Sequence, residues 1–225
     1  MARSSLPEAG LHDGAAVLEA NMATRISVPV DVHLITLCIE SFRMVSRQVQ
    51  VGRASRTQME RVRDVREVPP GEDRNSLTRA FGLANQIWLP ADIQFTLRSS
   101  SVERVDAPQN REEIDEQGVF ALASQFRARA GVSLLVVNKF QGAELGGQAV
   151  EALGVCIVKL LGHPGLGKVL AHELGHLLSL EHLTRSGVDN YNLMYPSLRA
   201  DDRLTQQQID QARTSNPMGR IAPAR

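Results

Sequence analysis

The sequence predicts an α/β (α+β) domain with a mostly parallel sheet, and three observations carry that expectation. Apolar, β-branched runs recur along the chain, separated by segments of helical periodicity. The run "VSLLVVNKF" (132–140) is continuous rather than alternating, as expected of a strand buried on both faces of a parallel sheet. The 225 residues, 43% hydrophobic and 22% charged, suit one domain with a sizeable core.

Residues 1–28 are small, polar and weakly patterned and read as an N-terminal arm. "VDVHLITLCIE" (31–41) has the character of a buried strand. From "SFRMVSRQVQ" to "VREVPPGEDR" the chain is rich in charge and broken by Pro69, Pro70 and Gly71, which predicts a helical or irregular surface insertion. "NSLTRAFGLANQIW" (75–88) spaces Leu77, Phe81, Leu83, Ala84 and Ile87/Trp88 as a helix does, with Asn75 or Ser76 as cap. "ADIQFTLRS" (91–99) alternates as a strand. "VDAPQNREEIDEQ" reads as an acidic loop, in which Asp106, Glu112 and Glu113 are solvated. A helix follows over 118–130, then the strand over 132–140. "LGGQAVEA" (145–152) is a short segment with Gly146 and Gly147, and "GVCIVKLL" (154–161) is another strand. "GLGKVLAHELGHLLSL" is a helix, "TRSGVDNYNLMYPSLRADD" is loop-rich, and "LTQQQIDQARTS" (204–215) is a capped, amphipathic final helix.

Composition removes several classes of partner. Lysine plus arginine and aspartate plus glutamate number 25 each, so bulk charge points neither to nucleic acid nor to an anionic membrane. No apolar run approaches the roughly 20 residues that span a bilayer. The start, "MARSSLPEAGLHDG", lacks the apolar segment of a Sec-type signal peptide, which leaves a cytoplasmic protein or one exported by a signal-less route. Cys38 and Cys156 lie in strand-like stretches and read as buried free thiols.

"HELGHLLSLEH" (172–182) holds three of the six histidines of the chain. On a helix, residues four apart lie about 40° apart around the axis, so His172 and His176 project side by side, the geometry for two imidazoles on one zinc. Leu166, Leu170, Leu174, Leu177 and Leu178 fall on the opposite, core-facing side. Glu173 lies about 100° from His172, beside such a metal rather than on it, where a carboxylate can serve as base. His182 can join only if the helix ends near Leu178–Ser179 and the chain turns back. Three histidines leave a tetrahedral zinc one open position, which is the catalytic pattern. A bare H-E-x-x-H is short enough to arise by chance; the third histidine, the leucine face and the downstream "NLMYP" add to it.

With these residues in place the sequence resembles the metzincin metallopeptidases, whose signature is H-E-x-x-H-x-x-G-x-x-H followed by a methionine-containing turn beneath the zinc. His172, Glu173, His176 and His182 match, and Met194 matches the turn methionine. The Met-Tyr-Pro wording is closest to the matrixin branch; no tyrosine ligand is carried over, because Tyr195 directly follows Met194. The resemblance covers residues 30–215. It implies a mixed, mostly parallel sheet with an antiparallel edge strand, an active-site helix and a small C-terminal subdomain ending in a helix. The division is then an arm over 1–28 and one catalytic domain over 29–225, with upper (29–182) and lower (183–225) subdomains. It further implies that Gly147, Gln148 and Ala149 offer backbone groups to an extended peptide, and that Pro196 to Leu198 wall the pocket beside the cut bond. Three departures stand out. Ser179 replaces the family glycine, no cysteine switch precedes the domain, and no acidic cluster resembles the matrixin calcium loops.

The expected function is that of a zinc-dependent endopeptidase with one zinc on His172, His176 and His182 and Glu173 as general base. The second reading is a metzincin-like module that binds zinc and a peptide without cleaving; an intact Glu173 argues against it. Glu181 reads as solvated or second to the metal, His163 as loop surface, and His12 and His33 as structural.

Overall fold

The structure, a computed structural model, describes residues 25–51, 54–70, 74–142, 146–159, 165–183, 191–196 and 202–215. The expectations for His12, His163, Gly71 and Leu198 lie outside the described residues.

The fold is mixed α/β around one six-stranded, mostly parallel sheet. Its strands are β1 (Ile26–Val51), β2 (Ala54–Val68), β3 (Ile93–Asp106), β4 (Val132–Val137), β5 (Gly147–Val150) and β6 (Val155–Lys159). The helices are α1 (Arg74–Trp88), α2 (Glu116–Gln125), α3 (Leu166–Leu177) and α4 (Gln206–Thr214). The main path runs β2-β1-β4-β6-β5, with β3 on the other edge of β1. β1 pairs in parallel with β3 and β4, and β4 with β6, while β2 and β5 join antiparallel. Period-2 alternation sorts the side chains to two cores. Val28, Val30, Val32 and Leu34 of β1 join α1 and α3 in one buried cluster; Ile35 and Leu37 join α2 in the other. Helices thus cover both faces, which explains why Leu134, Leu135, Val136 and Val137 are all buried.

Several boundaries differ from expectation. The arm ends earlier, because Ile26 to Val28 already belong to β1. The charged stretch expected to be a helical or irregular insertion is instead a two-stranded ribbon, in which β1 from Leu37 pairs antiparallel with β2. Arg43–Asp64, Arg47–Glu60 and Arg63–Glu40 ion pairs cross it, and the Arg61 guanidinium lies 3.8 Å from the Phe42 ring centroid. Residues 41–48 are all exposed, so neither face is buried there, and the alternation of Phe42 and Met44 is too brief to mark a strand. α1 begins at Arg74, placing Asn75 and Ser76 inside its first turn rather than at its cap. α2 is shorter and earlier than 118–130, because the Asp115 side chain caps it by accepting from the Gly118 amide. β3 runs on to Asp106, into the expected acidic loop.

A register shift between Val30 and Asp31 leaves Arg98 unpaired in the β1–β3 ladder. Arg98 uses that freedom to bond Asp31 and, at 3.0 Å, the Ala130 carbonyl. The Arg98 bond holds the Asp31 carboxyl below its ordinary pKa, helped by the Ser99 hydroxyl against partial burial. Both cysteines are free, Cys156 buried and Cys38 only partly so. His33 is partly buried, its Nδ1 3.0 Å from the Ser101 hydroxyl. Glu112 and Glu113 are surface partners of Arg66 and Lys139. No helix among the described residues is long and apolar enough to cross a membrane.

Candidate metal centre

α3 is held against the sheet by its leucine face: Leu170, Leu174, Leu177 and Leu178 are buried. Trp88 at the end of α1, fully buried, donates from Nε1 to the Ala171 carbonyl at 3.2 Å and so fixes the helix one residue before the first histidine. His172 and His176 are partly buried on the open side.

The helix stops where the third histidine requires it to. The Ser179 amide donates to the His176 carbonyl at 2.9 Å and the Leu180 amide to the Gly175 carbonyl at 3.0 Å. This is a Schellman closure, with Ser179 in the left-handed conformation at φ 63°. The reversed chain brings His182 back to the helix. The three Nε2 atoms then converge, with His172–His182 at 3.0 Å and His176 at 3.1 Å from each of the others.

These short separations are not a ring of hydrogen bonds. His172 Nδ1 lies 2.7 Å from the Leu193 carbonyl and His176 Nδ1 lies 2.8 Å from the Leu180 carbonyl. A carbonyl only accepts, so each Nδ1 carries the proton, and Nε2 of each neutral ring presents a bare lone pair. Burial lowers the pKa of both rings, that of His176 to about 4 with help from His172, so both stay neutral near pH 7. Lone pairs aimed at one point repel unless a cation lies between them. Three imidazole nitrogens at this spacing suit a metal bound at about 2.0–2.1 Å, and the outer nitrogens of His172 and His176 are already oriented by carbonyls.

Glu173, next to His172 on the helix, is 6% exposed. Burial pushes its carboxyl up to about 8, and a dication at the histidines would favour the ionised form. Gly147, at the start of β5, packs directly on this side chain. Gln148 and Ala149 are half-buried on β5, which among the described residues pairs only with β6 and leaves its outer edge open.

Met194 is fully buried under α3, against Gly175: a Cβ on that glycine would lie 2.7 Å from Met194 Sδ. The Met194 amide donates to Asn192 Oδ1 at 2.9 Å, and Asn192 Nδ2 donates to Gln208 Oε1 of α4 at 2.8 Å. Leu193, between them, supplies the carbonyl that orients His172. Asn192, Gln208 and Trp88 are supporting residues that the sequence reading did not single out. Only the asparagine-rich wording "NYNLMYP" hinted at the first. Pro196 is exposed after the turn. Glu181 is exposed, and its charge, after partial burial, helps raise the carboxyl of Glu151 at the end of β5.

No family model matches the chain, and comparison with curated proteins finds no match.

Proposed function

We propose that this protein is a zinc-dependent endopeptidase of the metzincin type. The observation that carries the reading is the convergence of the three Nε2 atoms within 3.0–3.1 Å, two of them bare because their Nδ1 protons are committed to carbonyls. The donor set, three neutral imidazoles and no thiolate, suits zinc with one position free for chemistry. When bound, the metal supplies a Lewis acid that polarises the carbonyl of the bond to be cut and acidifies water beside it.

The chain's own residues supply the rest. Glu173, adjacent to His172 and shielded from bulk water, accepts a proton from the attacking water and returns it to the leaving amine. The open edge of β5 can take an extended peptide through main-chain hydrogen bonds from Gly147 to Ala149. Met194 gives the centre an apolar floor, and Pro196 stands at the exit of that turn.

The purified protein is expected to hold about one zinc and to cut a mixed peptide library. Glu173→Gln should keep the metal and lose hydrolysis by about 10²-fold or more, the range contributed by a positioned base. His182→Ala should lose most of the metal, two imidazoles being a poor site. Zinc retained in full by His182→Ala would remove that histidine from the centre. Full zinc without cleavage by wild type would favour the non-cleaving peptide-binding module.

A further inference from the structure

We infer that Gly147 is the positioning residue that seats the Glu173 side chain. The catalytic consequence rests on the reading under Proposed function; the steric content does not. A Cβ placed on Gly147 would lie 2.6 Å from Glu173 Cγ, 2.8 Å from Oε1 and 2.9 Å from Cδ. Real side chains do not approach so closely, so any residue with a Cβ at 147 displaces the carboxyl arm.

Two further observations show that the glycine serves this contact. The backbone does not call for it: Gly147 is not among the residues at positive φ, and it pairs regularly with Val158 in the ladder. In a strand, glycine is otherwise the weaker choice, since it loses more entropy on ordering and packs no side chain. Nor is Glu173 tied down by polar partners. Among the described residues no hydrogen bond or ion pair holds its carboxyl, although it is 6% exposed. Its orientation is therefore set by shape, with the bare Cα of Gly147 as one wall. A buried carboxyl held by packing keeps its lone pairs free for a proton, whereas one locked by donors would have spent them.

The test is a double-mutant cycle read by thermal melting in the metal-free and zinc-loaded protein. Gly147→Ala should lower Tm by about 2–10 °C, as overpacking of a tight site does in a chain of this size. In the Glu173→Ala background the same substitution should cost nothing or stabilise slightly, because the clashing arm is gone. The double variant also covers the case in which Gly147→Ala alone fails to fold. Equal cost in both backgrounds, or no cost in either, overturns the inference. On fluorescein-labelled casein, Gly147→Ala with zinc retained should lower kcat about 10²-fold at nearly unchanged KM. Unchanged kcat would strip Gly147 of the positioning role. A wild type that cuts nothing would refute the peptidase reading alone, since the melting cycle still decides the seat.

Discussion

Ser179 adopts φ 63°, a conformation in which a residue with a Cβ costs on the order of 1 kcal/mol more than glycine. The chain accepts that cost because the turn at this residue delivers two things. It closes the carbonyls of His176 and Gly175, and it reverses the backbone so that His182 meets the other histidines. Ser179→Gly should therefore keep zinc and be neutral or stabilising by up to about 1 kcal/mol, since relief of strain is partly offset by the freer unfolded chain. Ser179→Val, β-branched at positive φ, should lose stability and zinc together. Melting curves with metal analysis decide it: a destabilised glycine variant beside a normal valine variant would contradict the turn.

Elements meet at the centre through short polar bridges rather than apolar area alone. The described segment bearing Met194, residues 191–196, holds turns and an isolated bridge from Asn192 to Arg203, yet it is fixed between α3 and α4. Asn192 accepts from the Met194 amide and exchanges two amide bonds with Gln208, whose own side chain completes the capping box of α4 with Thr205. Both amides are buried, so removing one leaves the other unsatisfied. Asn192→Ala is expected to cost about 2–3 kcal/mol, the desolvation of the orphaned Gln208 amide and Met194 N–H. It should also weaken zinc, because the Leu193 carbonyl that orients His172 sits between the two anchored residues. Isothermal titration with zinc would show this; wild-type affinity in a destabilised variant would separate the turn from the metal. α4 closes the arrangement from below, with Arg213 bonding the Ala91 carbonyl at 2.8 Å and the Ser215 hydroxyl bonding that of Leu178 at 2.7 Å.

Over the whole molecule the three histidines join α3 to the chain that leaves it, and the Leu193 carbonyl on His172 extends the connection to the Met194 turn. Loss of a metal held there would then be a global event. A ligand present at about 1,000 times its Kd adds roughly 4 kcal/mol to folding, and about 2–4 °C of Tm follows each kcal/mol at this size. A chelator should lower Tm by about 8–16 °C, and added zinc should restore it. His182→Ala should melt at the same temperature with and without chelator. A wild type indifferent to chelation would mean that no metal is bound at this cluster.

Local rules were enough to read much of this from the residues. The helical period sets His172 beside His176 and the leucines opposite; the offset of His182 demands a turn near Ser179; the run over 204–215 announces a capped last helix. Continuous apolar runs likewise marked β4 and β6, because burial on both faces leaves its trace in composition. What the fold alone decided depends on partners remote in the chain. β1 extends to Val51 only because β2 pairs with it, and in an exposed ribbon no buried apolar face records the pairing. Trp88 read as one more core position, although its indole reaches the Ala171 carbonyl. Gly147 read only as a residue offering backbone groups to a peptide; that its bare Cα also lies against Glu173 is a matter of packing. A residue's type states what it can bond or exclude. Which remote neighbour it meets is settled when the sheet and helices pack, since the free energy of that contact exists only in the assembled fold.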